Sequence, residues 1–417
     1  MHKAFKFKLN PDEKQVEYLR QVGGGCRWLW NAMLVQNTTR YNNEKKFVFK
    51  HEMIVSLPKL KKEHTWLSDL PSQVLQQRCW DLDTAIKRCF KNKFGFPKFK
   101  RKDDESDTFR IPQTNGHIQL TEKAIKIPKL GWVNWKQHRP IQGRLMSITI
   151  KQKGDNWYVS CLCAIGDPNQ TTECYDDDIA GIDLGLSHFA ITSDGEFIDS
   201  TKPKLRRLKK TQRKLSRIDH LNKKNKIKKS KRRLKQKKKL AKIHAHVKNQ
   251  RYDFHHKASR QITNAYTFVC MEDLNIKGMM KNHCLADAIS KQGWGQFRMM
   301  IEYKLAAKGG KLFLADRFFA STKTCSSCGH KQKMPLDKRV FDCEVCPLVL
   351  NRDVNAAINL KLWAIKELNR TGAVRIKARG DTSDGQADAY VCSYVSMNRE
   401  KFENKFVLEA AQSLAAR

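Results

Sequence analysis

The chain opens on a strict alternation. In "HKAFKFKLN", Phe5, Phe7 and Leu9 are apolar and the positions between them are lysines, the pattern of a half-buried strand. Asn10, Pro11 and Glu13 follow as a predicted helix cap, first-turn proline and capping-box acid. Helical spacing then recurs at Val16 and Leu19, in "WLWNAML" beyond a predicted break at Gly23–Gly25, and through "LPSQVLQQRCWDLDTAIKRCFKNKF". Gly95 and Pro97 end it. From about 105 to 165 the period becomes two: "IQLTEKAIKIPKLGWVNW" and "SITIKQKGDNWYVSCLCA" predict hairpins, the second turning at Lys153 to Asn156. A strand, a helical insert and more strands predict a small barrel closed around an insertion.

Past an acidic spacer, Asp176 to Asp178, "IAGIDLGLSHFAITSDGEFIDS" predicts a buried strand, a turn and a second strand. "AYTFVCMEDLNI" is a buried strand ending in acids, "GWGQFRMMIEYKLAAKGG" a helix stopped by Gly309 and Gly310, and "KLFLAD" another strand. With the helical "VNAAINLKLWAIKEL", this alternation from 179 to 365 predicts an α/β layer fold. Beyond about 370, "RGDTSDGQADAY" is turn-rich and predicts a mobile tail, and "EKFENKFVLEAAQSLAAR" suggests a short amphipathic helix.

Charge changes the picture. Among 417 residues there are 81 Lys and Arg against 42 Asp and Glu, a formal charge of +39, so a compact state favours a polyanion to screen it. Nucleic acid is the simplest such partner and a membrane surface the competitor. Between Lys202 and Lys242, 22 of 41 residues are Lys or Arg, and Asp219 is the only acid. Leu205, Leu208, Leu215 and Ile218 keep helical spacing through that run, and Ile227, Leu234 and Ile243 more loosely. A basic helical hairpin turning near "NKKN" is therefore expected, and phosphate contact is favoured over a merely solvated face. No apolar run approaches a membrane span, and "MHKAFKFKLNPDEK" has no signal-peptide core. Cys161, Cys163 and Cys270 stand alone among apolar neighbours and read as small hydrophobes in a reducing cytoplasm.

Cys325-x2-Cys328-x14-Cys343-x2-Cys346 has the spacing of a tetrahedral Zn²⁺ site. Four thiolates close the shell, so such a zinc is structural; a redox CxxC is the disfavoured alternative, and His330 a spare ligand expected to face solvent. Three acids are weaker signals. Asp183 lies in "GIDLG", at the middle of a predicted strand of apolar residues, where an unpaired carboxylate is costly unless satisfied by a partner or a metal. Glu272 ends "FVCME" and could be an exposed strand-end acid; Asp353 opens a helix and could be a plain N-cap. Together, two strand acids and a helix-opening acid can meet at one sheet edge. A carboxylate cluster of that kind suits two Mg²⁺ ions and phosphodiester cleavage.

"GIDLG", "MEDLNIKGM", "KTCSSCG" with its second CxxC, and "NRDVNAAINL" resemble the TnpB (OrfB) family of insertion-sequence-encoded RNA-guided DNA nucleases, relatives of the type V CRISPR effectors. "KFKLNPDEKQ", "GFPKFK", "IPKLGWV" and "SYVSMNRE" extend the resemblance along nearly the whole chain.

The resemblance implies a multi-domain α/β plus β architecture. A wedge β-barrel is expected at 1–10 and 105–170, with a helical recognition insert at 11–104. An RNase H-like (RuvC) domain is expected at 177–316 and 347–368, carrying the basic hairpin at 202–257. A zinc ribbon that binds the target nucleic acid is expected at 317–346, and a tail at 369–417. It further implies Asp183, Glu272 and Asp353 as the ligands of two catalytic Mg²⁺ ions, and Cys325, Cys328, Cys343 and Cys346 as those of one structural Zn²⁺. The implied partners are a transposon-derived guide RNA and double-stranded target DNA, in a monomeric, nucleoid-associated bacterial ribonucleoprotein with no membrane. An RNA-guided repressor without cleavage and an unguided transposase or nuclease remain alternatives. Two positions depart from the family pattern: Pro347 stands where Gly usually follows the fourth cysteine, and Asn351 where an acid usually precedes Asp353 by two. Pro347 implies a less regular second knuckle.

Overall fold

The computed structural model describes residues 1–92, 95–102, 107–114, 116–200, 206–225, 230–335, 337–372 and 374–377. The chain divides into two compact units, Met1–Asp167 and Pro168–Arg417.

The first unit is built on a seven-stranded antiparallel sheet. It comprises β1 (His2–Asn10), β2 (Thr108–Pro112), β3 (Gln119–Leu120), β4 (Ala124–Ile127), β5 (Gly131–Lys136), β6 (Arg144–Lys153) and β7 (Asn156–Ala164), in the order β2-β6-β7-β1-β5-β4-β3. Phe5, Phe7 and Leu9 are buried as the alternation requires, and β6 turns into β7 with Lys153 opposite Asn156. Among the described residues no ladder joins the edge strands β2 and β3. Around the 113–118 turn, the Gln113 side chain instead exchanges hydrogen bonds of 2.8 and 2.9 Å with the Ile118 backbone.

Between β1 and β2 run α1 (Glu13–Glu44), α2 (Lys50–Glu63) and α3 (Ser72–Asn92). Two expectations are corrected here. Asp12, not Asn10, caps α1 and forms its capping box with Gln15, not with Glu13. Nor is there a break at Gly23–Gly25: α1 runs straight through. A Cβ on Gly23 would stand 2.6 Å from Asp107 Cβ and one on Gly25 2.2 Å from Leu70 Cδ1, so these glycines serve close packing rather than a turn.

The second unit centres on a five-stranded mixed sheet, β11-β10-β9-β12-β13. Its strands follow β8 (Glu173–Tyr175): β9 (Ile179–Asp183), β10 (Ala190–Thr192) and β11 (Phe197–Ile198) form an antiparallel meander, and β12 (Phe268–Glu272) and β13 (Lys311–Ala315) add in parallel to β9. Between β11 and β12 stand α4 (Arg206–Lys224) and α5 (Lys231–Ala265), the expected basic hairpin, with Ser230 capping α5. Leu205 and Ile227 of that run lie outside the described residues.

After β12 come α6 (Ile276–Met279), α7 (Ala286–Gln292) and α8 (Trp294–Ala306). The cysteine segment holds β14 (Val340–Asp342) and β15 (Val349–Asn351), an antiparallel pair that leads directly into α9 (Arg352–Thr371). The expected tail begins later than 369: α9 continues to Thr371, and β16 (Arg375–Lys377) pairs in parallel with β8. The stretches "RGDTSDGQADAY", "SYVSMNRE" and the closing amphipathic segment lie outside the described residues. Among the described residues no helix is long and apolar enough to cross a membrane.

Candidate active site

Asp183 is the last residue of β9 rather than its middle, and is only 9% exposed. Glu272 is the last residue of the neighbouring β12, whose Met271 registers with Ile182, so both acids leave the same rim of the sheet. The helix α9 brings the third. It lies so close on β9 that a Cβ at Gly181 would stand 1.9 Å from the Ala357 carbonyl oxygen and 2.4 Å from the Lys361 amide nitrogen. With Ala356 and Ala357 fully buried, small residues on both sides let the two backbones meet. Asp353 sits one turn before Ala357, as the second residue of α9.

The plain N-cap reading of Asp353 is excluded. Asn351 is the cap, its Oδ1 accepting from Asp353 N at 2.9 Å and Val354 N at 3.3 Å. That frees the Asp353 carboxylate, which is met by Arg352 Nε at 3.3 Å and Arg339 Nη1 at 3.8 Å. Glu272 is half-buried rather than exposed, and its Oε1 accepts from Ser321 Oγ at 2.5 Å.

Asp183 feels the other two acids. Burial first, then the Glu272 and Asp353 charges, push the Asp183 carboxyl up to about 8, against the opposing pull of Arg352 and the Leu184 N–H. A buried acid whose ionised form is disfavoured by two neighbouring acids calls for more positive charge than Arg352 supplies, and oxygen-seeking divalent cations match such a donor set. The three carboxylates are nevertheless not drawn into one tight shell. Among the described residues the four cysteines are the one group of three or more His, Cys, Asp or Glu whose ligand atoms lie within 4.8 Å of one another. The neighbouring Asp273 is spoken for: Arg298 at 2.9 Å and Arg317 at 3.0 Å clamp it and hold it below the usual carboxylate range.

In the cysteine cluster, Cys325 and Cys346 sulfurs are 3.6 Å apart, as are those of Cys328 and Cys343. The edge of a tetrahedron with Zn–S bonds of about 2.3 Å is about 3.8 Å, so the cluster can hold a structural zinc. The first knuckle closes with Cys325 N donating to His330 O at 2.8 Å and Gly329 N to Cys325 O at 3.0 Å, Gly329 having φ +74°. The second keeps the counterpart of the former, Cys343 N to Leu348 O at 3.0 Å. It cannot make the latter, because Pro347 has no N–H. His330 Nε2 faces Glu344 at 3.8 Å.

Residues that the sequence did not single out join cluster to rim. On α9, Asn355 Nδ2 donates to Thr324 O at 2.8 Å and its Oδ1 accepts from Ser326 N at 3.0 Å. Asn359 Nδ2 donates to Ser321 O at 2.8 Å and Thr324 O at 2.7 Å. Both asparagines are almost wholly buried. Their i, i+4 spacing in an apolar helix was the available signal. The segment entering the first knuckle is thus fastened to the helix that carries Asp353 and, through Ser321, to Glu272.

Comparison with known proteins follows this layout. Residues 163–283 match a family described as "Probable transposase", 294–360 a "Cas12f1-like, TNB domain", and 1–46 a "Helix-turn-helix domain". The last description does not fit the structure, in which β1 precedes a single uninterrupted 32-residue helix. The "Putative RNA-guided DNA endonuclease InsQ" of Escherichia coli (strain K12) is 30% identical over 379 residues, covering 86% of this chain and 91% of that protein. A protein of Streptomyces pristinaespiralis named "Putative RNA-guided DNA endonuclease" is 32% identical, covering 86% of this chain and 88% of its own length. In fold the chain is similar to the protein of a Cas12f1–sgRNA–target DNA complex, with TM-score 0.50 and 15% identity over 87% of this chain and 98% of that one. The chain therefore belongs to the TnpB (OrfB) family, related to the Cas12 effectors.

Proposed function

We propose that this chain is an RNA-guided, Mg²⁺-dependent DNA endonuclease whose cutting site is the rim bearing Asp183, Glu272 and Asp353. The observation that carries the reading is the delivery of three acids by β9, β12 and α9 to one place, where the charges of Glu272 and Asp353 reach the buried Asp183. On this reading the second unit is RNase H-like (RuvC), the first is the wedge domain with its helical recognition insert, and the cysteine segment is a zinc ribbon serving the target strand. The naming of the relatives and the excess positive charge support a guide RNA and a DNA duplex as partners.

Asp183, Glu272 and Asp353 would hold magnesium, which supplies an activated water and stabilises the leaving oxygen in phosphodiester hydrolysis. The protein's own part is positioning. Ser321 fixes the rotamer of Glu272 by donating to Oε1, and Arg352 and Arg339 restrain Asp353. Asp183 would serve as a ligand in its ionised form, since a carboxylate must be deprotonated to hold a metal. Arg298 and Arg317 keep Asp273 out of the ligand set.

The test is plasmid cleavage by the purified protein with its copurifying RNA. Cutting is expected with Mg²⁺ and intact RNA, and none after EDTA or complete RNase treatment. Cleavage that survives the RNase would sink the guided reading, and an intact plasmid under every condition would favour a guided repressor.

A further inference from the structure

The first unit contains a cavity of about 570 Å³ that the nuclease reading does not use. It lies where α1, α3, the segment 95–102 and the strands β2 and β6 meet, and among the described residues Arg27, Arg78, Lys100, Arg101 and Arg110 line it with two acids, Asp81 and Asp107. The acids are largely committed. Arg27 takes Asp107 at 2.5 Å, and Asp81 stands 3.2 Å from Arg78 Nη1.

Arg78 is itself only 8% exposed. Its Nη2 donates to Thr108 O at 2.5 Å, and its Nε has no hydrogen-bond partner. Lys100 places its ammonium 3.9 Å over the Trp30 ring, and Arg110 Nε meets only a neutral acceptor, Ser147 Oγ, at 3.1 Å. Burial, then the Arg78 charge, lower the Lys100 ammonium to about 8. The wall is also set in place beforehand: Asn31 exchanges hydrogen bonds of 2.9 and 3.0 Å with the Lys100 backbone, and Trp30 Nε1 donates to Lys98 O at 3.1 Å.

A half-buried group of cations with too few carboxylates is stable when an anion completes it. We infer that this cavity is a subsite for one phosphate ester, contacted by Lys100 and Arg110 with the charge of Arg78 behind them, and wide enough to take the attached nucleoside. Two sources carry that chemistry: a nucleotide of a bound RNA chain, or a free nucleotide.

The experiment uses the full chain and the variants Lys100→Gln and Arg110→Gln, which remove charge and keep the side-chain stem. Inorganic phosphate, AMP and adenosine are titrated into RNA-free protein while the unfolding midpoint is followed. Binding of the copurifying RNA is measured across a salt series. If a chain nucleotide occupies the cavity, each variant weakens RNA about tenfold and makes the log K against log[salt] slope shallower by about 0.7, one single-strand phosphate contact. If a free nucleotide does, AMP and phosphate but not adenosine raise the wild-type midpoint, and the variants abolish the rise while leaving the RNA slope unchanged. Variants that melt like wild type, with neither response altered, overturn the inference. Asp183→Ala is expected to change none of these readouts, which separates failure here from failure of the nuclease reading.

Discussion

Gly181→Ala is the sharpest small perturbation this structure offers. A single methyl group would stand 1.9 Å from Ala357 O and 2.4 Å from Lys361 N. Both are backbone atoms of a long buried helix, so no side chain can swing aside. Restoring ordinary contact requires α9 to shift by about 1.5 Å relative to β9. Overpacking of this kind costs about 1–3 kcal/mol, and more where the obstacle is backbone. The same shift moves Asp353 against Asp183, and a misplacement of about 1 Å can reduce catalysis about 100-fold. The assay is guided plasmid cleavage beside thermal unfolding, zinc content and RNA affinity. Cleavage is expected to fall at least about 100-fold and the melting midpoint to drop by several degrees, with RNA affinity and one zinc per chain retained. A variant that cuts and melts like wild type would refute the idea that this contact sets the third acid.

Other consequences follow from the same geometry. Asn359→Ala leaves the Ser321 carbonyl without its side-chain donor and the Thr324 carbonyl with that of Asn355 alone; a cost of about 1–3 kcal/mol is expected by chemical denaturation, with slower cleavage and unchanged zinc content. Ser321→Ala is expected to slow cleavage while leaving stability within about 1 kcal/mol, which parallel kinetics and melts would check. Because the folded-state Asp183 carboxyl lies well above its unfolded value of 3.8, its contribution is intact below about pH 4 and is lost as pH rises towards 8. Metal-free Asp183→Asn should therefore out-melt metal-free wild type at pH 8 and match it near pH 4. Cys343→Ser is expected to lose zinc, measured by metal analysis, and cleavage with it, because the knuckle segment and α9 share hydrogen bonds.

Much of this was legible in advance where one short-range pattern decided the outcome. Period-two spacing placed Phe5, Phe7 and Leu9 and the β6–β7 turn, and cysteine spacing placed the four-cysteine cluster. Other features depended on partners far along the chain. Gly23 and Gly25 read as a break because glycine disfavours helices, yet their neighbours Asp107 and Leu70 explain them better. Glu272 and Asp273 are indistinguishable side by side in sequence; only Arg298 and Arg317, supplied by α8 and the loop after β13, tell them apart. Ser321 carried no local signal at all. The meeting of Asp183 with Asp353 was readable through a family resemblance, and its physical cause, the close seat of α9 on Gly181, only from coordinates.

Anomalous diffraction from crystals soaked in Mn²⁺, a stand-in for Mg²⁺, tests the acid rim most directly. A peak at about 2.1 Å from carboxylate oxygens of Asp183, Glu272 and Asp353, absent in Asp183→Asn, is the expected result. Manganese bound elsewhere, or bound at this rim without Asp183, would contradict it.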